Sequence, residues 1–150
     1  MLTRSFECRN PAEMAMLASR IQKQIEVPFL MTLQGDLGAG KTELVRGIME
    51  RFGITSVKSP TFTIVREYEP GFKVYHIDAY RLGSGDELLS IGFDEFLTED
   101  ALIFIEWADL VEDALPQERL SVSIEGSGEE PRFITIRSEG EKYDRVLQQL

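Results

Sequence analysis

The sequence predicts an α/β fold with a mainly parallel central sheet, antiparallel hairpin additions and flanking helices. Three observations predict it. The run "PFLMTL" is almost wholly apolar and too short for a helix, as a strand covered on both faces is. It leads through a glycine-rich turn into "ELVRGIMERF", whose apolar residues recur at helical spacing. A second apolar run, "ALIFIEW", follows after two segments of strand character joined by a turn. At 150 residues and 43% hydrophobic composition, one compact domain with its own core is expected over residues 1–150.

Taken in order, a short strand is expected near Thr3 to Cys8. "NPAE" then starts a helix, with Asn10 as N-cap, Pro11 at the first helical position and Glu13 in the first turn. Met14, Leu17, Ala18, Ile21 and Ile25 form its apolar stripe. After "PFLMTL" and the glycine-rich turn, Leu44, Val45, Ile48 and Phe52 mark a helix that Gly53 ends. "TFTIVREY" and "KVYHIDAY" read as strands joined by "EPGF", a hairpin. "SGDELLSIGFDEFL" suggests short helical pieces around Gly92. "DLVEDAL" is a helical turn or two stopped near Pro116, and "RLSVSIE" and "RFITIR" flank "GSGEEP" as a second hairpin. The tail places Tyr143, Val146, Leu147 and Leu150 on one helix face.

The chemistry concentrates in "GDLGAGKT", residues 35–42, which matches G-x-x-x-x-G-K-S/T in full. Gly35 and Gly40 permit backbone angles that let successive N–H groups turn toward anionic oxygens, and Gly38 adds a site of close approach. The backbone of Asp36, Leu37 and Ala39 completes the cradle, and the following helix aims its positive end at the same place. Lys41 can reach β- and γ-phosphates, and the Thr42 hydroxyl can ligate Mg²⁺. The strand before and the helix after are the context that the motif demands, so the chain reads as a single P-loop NTPase-like domain that binds a nucleoside triphosphate. Asn10 is the only asparagine, which removes the Asn-Lys-x-Asp guanine reader.

Asp78 ends the strand "VYHID" and Glu106 ends "LIFIE". Carboxylates at strand exits in an α/β sheet lie at the edge where ligands bind. One can hold Mg²⁺ directly or through water while the other orients the attacking water. Thr61, in "VKSPTFTIV", stands in a loop before a strand, where a hydroxyl can sense a γ-phosphate or its metal. His76 alternates with Asp78 and shares its face; a lone histidine is most simply a hydrogen-bonded structural residue. Trp107 follows Glu106 and is either core or a ring packed against the nucleotide. Arg66 and Arg81 stand singly, without the arginine-bearing lid of a small-molecule kinase. That enzyme class and a nucleotide-gated binding module with negligible hydrolysis are the alternatives to an ATPase.

Charge narrows the partners. With 26 acidic against 16 basic residues and a net charge of -10, the surface repels nucleic acid, and no window clusters lysine and arginine. No stretch approaches a membrane span, and "MLTRSFECRN" lacks the apolar core of a signal peptide. The lone Cys8, read as a small buried strand residue, fits a reducing cytoplasm.

In this order the motifs resemble the bacterial TsaE (YjeE) family, the ATPase of the machinery that makes threonylcarbamoyladenosine beside the anticodon of tRNAs. The resemblance rests on "GDLGAGKT" with Arg46–Gly47, on "VKSPTFTIV", on "VYHIDAYRL" and on "IEW". It runs from about residue 30 to residue 107. It implies slow, Mg²⁺-dependent hydrolysis of ATP that resets a complex with TsaD and TsaB, tRNA being met only indirectly through that complex. It also implies phosphate and Mg²⁺ contacts by Lys41 and Thr42, a switch-like Thr61, Asp78 as the essential acid near the metal, and Glu106 as the second carboxylate. Trp107 is implied as an aromatic near the nucleotide. The chain departs from the family pattern at Glu43, where members often carry a second threonine, in "EWAD" for "EWPE", and at Met14, where many have threonine.

Overall fold

A computed structural model describes residues 1–36, 38–55, 57 and 64–150. Its elements are β1 (Leu2–Cys8), α1 (Pro11–Gln24), β2 (Phe29–Gly35), α2 (Lys41–Glu50), β3 (Val65–Tyr68) and β4 (Lys73–Asp78). After them come α3 (Gly85–Ser90), α4 (Phe93–Phe96), β5 (Ala101–Glu106), β6 (Arg119–Glu125), β7 (Arg132–Glu139) and α5 (Glu141–Gln148). Two 3-10 segments, Ala79–Arg81 and Ala108–Ala114, follow β4 and β5.

Local chemistry sets the boundaries. The Asn10 side chain accepts a hydrogen bond from Glu13 N at 2.9 Å, and the Glu13 carboxylate accepts one from Arg9 N at 2.7 Å. One orphan N–H of α1, that of Glu13, and the N–H of Arg9 just before the helix are thereby satisfied. The apolar stripe extended α2 to Phe52, but the helix ends at Glu50. There Ile54 N closes back on the Met49 carbonyl at 3.1 Å and Gly53 turns left-handed at φ 90°, satisfying the last carbonyls. Among the residues expected in the first strand of the central hairpin, 61–63 lie outside the described residues. Val65–Tyr68 does pair antiparallel with β4, Val65 facing Ile77.

The strands form one seven-stranded sheet in the order β1-β7-β6-β2-β5-β4-β3. The four at its centre, β6, β2, β5 and β4, are parallel neighbours. The hairpin partners β3 and β7 run opposite to them, and β1 pairs antiparallel with β7, so only β3 and β7 oppose the common direction. This is the mainly parallel sheet with hairpin additions. β1 is the edge strand beside β7, mostly exposed except for Cys8 at its end.

Strand alternation splits the core in two. On one side Phe29, Met31, Leu33, Val74, Leu102 and Phe104 pack with α1, α2 and α5. On the other Leu30, Tyr75, Ile77, Ile103 and Ile105 pack with α3, α4 and the segment after β5. A Cβ on Gly47 would come within 2.9 Å of Ala18 Cβ, so glycine lets α1 and α2 pack closely there. β4 and β5 end level, with Asp78 opposite Glu106. By alternation His76, Asp78 and Glu106 share the face that α2 covers, and this positions the site. Among the described residues no helix is long and apolar enough to cross a membrane.

Candidate functional site

The site begins where β2 runs out. Gly35 has φ 149°, and a Cβ there would lie 2.4 Å from the Ile124 carbonyl oxygen, closer than any side chain tolerates. Glycine thus allows β2 to stay against β6 while the chain turns away. Gly40 is left-handed at φ 109° and serves as N-cap of α2 with no side chain of its own, leaving the first N–H groups of the helix directed outward. Leu37 and Thr61, two of the sequence-predicted site residues, lie outside the described residues.

Lys41 is 5% exposed. Its Nζ donates to the carbonyls of Gly35 and Asp36 at 2.6 and 2.9 Å and lies 4.1 Å from the Trp107 ring centroid. Burial pushes the ammonium below the ordinary lysine pKa, partly countered by the surrounding carboxylates of Glu106, Asp36, Asp109 and Asp78. Trp107 is the single non-glycine residue with positive φ among the described residues, at 60°. That conformation turns its indole back over the lysine, with Tyr80 packed against it at 5.0 Å between ring centroids. The ring, half-buried, therefore lies beside the loop of residues 35–42 as well as in the core.

Thr42, Glu106 and His76 form a continuous chain. The Thr42 hydroxyl donates to Glu106 Oε1 at 2.9 Å, and Glu106 Oε2 is hydrogen-bonded to His76 Nε2. Glu106 and His76 are both buried. Asp78 is less buried; its Oδ1 accepts from Tyr80 N at 3.0 Å and caps the 3-10 turn after β4. The structure thus joins Thr42 to Glu106 directly and sets Asp78 level with them on the neighbouring strand.

These oxygens suit a Mg²⁺ ion. A hydroxyl and a carboxylate within hydrogen-bond distance are hard donors. Mg²⁺ takes one or two such groups and completes its octahedron with phosphate oxygens and water. Among the described residues no cluster of three or more His, Cys, Asp or Glu forms an all-protein metal cage.

Beside the loop a cavity of about 630 Å³ opens between the start of α1, the exposed side of α2 and the β6–β7 turn. Asn10, Met14, Gly40, Glu43, Arg46 and Arg132 are among the residues that line it. Arg132 is the architect of one wall. Its Nε donates to the Ala39 carbonyl at 2.9 Å, Nη2 to Gly128 at 3.0 Å, and Nη1 to Glu130 at 2.6 Å. A longer contact runs from Nη2 to the Gly38 carbonyl at 3.4 Å. One guanidinium thus ties the loop of residues 35–42 to the hairpin turn.

A family model described as "Threonylcarbamoyl adenosine biosynthesis protein TsaE" matches residues 8–134, from the edge of this cavity through Arg132. The chain belongs to the TsaE family. It is 41% identical over 143 residues to the tRNA threonylcarbamoyladenosine biosynthesis protein TsaE of Bacillus subtilis, covering 94% of this chain and 89% of the relative. The Streptomyces coelicolor TsaE is 36% identical over 139 residues, covering 87% and 93%. The Haemophilus influenzae TsaE is 40% identical over 102 residues, covering 67% and 65%. A crystal structure of YdiB from Bacillus subtilis superposes with a TM-score of 0.83 at 34% identity, covering 98% of this chain and 93% of that one.

The part Arg132 plays in this TsaE-family chain is not legible in the sequence. That residue sits in a strand pattern, "RFITIR", whose alternation says only which face it occupies. The preceding "GSGEEP" signalled a turn, but nothing local tells that the turn folds over a loop 93 residues earlier. The Thr42–Glu106 contact, 64 residues apart, was foreseeable only as two ends meeting at one sheet edge.

Proposed function

We propose that this chain binds Mg²⁺·ATP on the loop of residues 35–42 and hydrolyses it slowly, acting in the cytoplasm in the biosynthesis of tRNA threonylcarbamoyladenosine. In this reading nucleotide turnover resets a transferase formed by TsaD and TsaB, and tRNA is met only through that complex. The observation that carries it is the hydroxyl–carboxylate pair of Thr42 and Glu106 at the N-terminus of α2, beside a buried lysine. It supports nucleotide hydrolysis because a P-loop needs an acid from a neighbouring strand to complete its metal and water contacts.

The roles follow from position. Lys41 exchanges its two carbonyl partners for phosphate oxygens, where charge-assisted bonds are stronger. Backbone N–H groups around Gly38 to Thr42 orient the triphosphate. Thr42 and Glu106 hold Mg²⁺, directly or through its water, and the ion neutralises charge on the phosphate oxygens when bound. Asp78 orients the attacking water or shares the metal's water shell; Thr61, outside the described residues, takes the part of γ-phosphate sensor from the family resemblance alone. The cavity walled by Met14, Glu43 and Arg132 receives the nucleoside, since it adjoins the loop at Gly38 and Gly40. The acidic net charge of -10 fits a subunit that leaves tRNA to its partners.

The test is steady-state phosphate release from ATP and Mg²⁺, by the chain alone and with TsaB and TsaD. Slow release that the partners increase is expected. ATP binding without any release in either condition would reduce the chain to a nucleotide-gated binding module. Trp107 is the sole tryptophan, so its fluorescence should change on titration with ATP as Lys41 leaves its ring for phosphate.

A further inference from the structure

We propose that His76 is a positioning residue that sets the orientation of the Glu106 carboxylate, and through it the geometry offered to a metal ion. The proposal rests on the reading of Thr42 and Glu106 as the pair that holds Mg²⁺ and goes beyond it, to a residue on a third element.

His76 is fully buried on β4, among apolar neighbours that include Phe104 at 6.3 Å between ring centroids. Packing alone asks for an aliphatic side chain there, as Val74 and Ile77 occupy the same strand. The imidazole instead commits one nitrogen to Glu106 Oε2 and leaves the other, Nδ1, buried with no hydrogen-bond partner among the described residues. Among the described residues a proton on Nδ1 would find no acceptor, whereas a proton on Nε2 is donated straight to the carboxylate.

The consequence lies in Glu106. Its side chain has three torsions, and a single hydrogen bond from Thr42 would leave the carboxylate plane free to turn. The second bond, from His76 to the opposite oxygen, fixes that plane so that Oε1 faces the Thr42 hydroxyl. A ring N–H that orients a ligating carboxylate from outside is a general device for tuning a metal site. His76 touches neither phosphate nor metal in this arrangement; it acts through Glu106.

Two variants separate positioning from packing. His76→Leu fills the space without a donor, and His76→Gln retains an N–H with the reach of Nε2. Each is checked by denaturant unfolding, then titrated calorimetrically with ATP in the absence of divalent cation and at a series of Mg²⁺ concentrations. In His76→Leu, ATP affinity without Mg²⁺ should stay within about twofold of the parent, while the Mg²⁺ concentration giving half-maximal tightening rises about tenfold. His76→Gln should return that concentration to within about threefold of the parent. A folded His76→Leu with the parent's Mg²⁺ dependence overturns the proposal, as does equal behaviour of the two variants. Failure of both to fold assigns the ring to folding and overturns it too. A parent that binds ATP without regard to Mg²⁺ removes the functional reading itself, an outcome visible before any variant is measured.

Discussion

Replacing Lys41 with methionine separates what the ammonium does for the fold from what it does for a phosphate. In the fold it makes two charge-assisted hydrogen bonds, at 2.6 and 2.9 Å, and a cation–π contact at 4.1 Å. Such bonds are worth about 1.5–3 kcal/mol each and the ring contact about 0.5–2 kcal/mol. Against them stands the desolvation of a side chain only 5% exposed, several kcal/mol for a buried ammonium, which is also what lowers its pKa. The terms largely offset. Methionine keeps an unbranched side chain one atom shorter and removes the charge, so the nucleotide-free protein should change in unfolding free energy by no more than about 2 kcal/mol in a denaturant titration. ATP binding should suffer far more. One lost charge-assisted phosphate contact, about 1.5–3 kcal/mol, weakens affinity about 10- to 150-fold, readable by calorimetry. The pH profile adds a sign. Phosphate favours the protonated lysine, and burial has lowered the pKa of the free protein's Lys41. Parent affinity is therefore level while pH stays below that lowered pKa and falls as pH rises through it toward the ordinary value of about 10.4. The Met variant should lack this fall. A folded Lys41→Met that binds ATP within about threefold of the parent would refute the phosphate role.

Four further substitutions probe the rest of the loop and its carboxylates. Gly35→Ala should lower stability by roughly 1–3 kcal/mol or more, since its methyl meets the Ile124 carbonyl at 2.4 Å; an unchanged melting temperature would mean β2 and β6 can part without cost. Glu106→Ala and Asp78→Ala should impair hydrolysis far more than folding, the Asp78 change also costing about 1 kcal/mol as a lost cap of the turn after β4. If both release phosphate at the parent rate with partners present, neither carboxylate serves the metal or the attacking water. Glu43→Thr, at an exposed position in the first turn of α2, should tighten ATP binding and destabilise the nucleotide-free helix by about 0.3–0.5 kcal/mol. The gain in affinity should shrink at high salt, and weaker binding in the Thr variant would show instead that Glu43 helps to organise the site.

What the sequence determined is what depends on near neighbours along the chain. Asn10, Pro11 and Glu13 start α1 because capping spans three residues. Gly35, Gly40 and Lys41 shape the loop because the turn, the helix end and the reach of the lysine are all set within seven positions. Alternation put His76 and Asp78 on one face, since side chains on a strand repeat every second residue, and the residues closing the two apolar runs are the carboxylates Asp78 and Glu106. Periodicity says which face of a strand is buried, but it carries no address for the neighbouring strand. Only the tertiary structure decided that β5 lies between β2 and β4 and that β6 flanks β2 on the other side. That order brought Glu106 to Thr42, hung His76 behind Glu106, and folded the β6–β7 turn so that Arg132 could grip Ala39. Each of these contacts joins segments whose closure is driven by burying both faces of the sheet, a property of the whole chain that no short window contains.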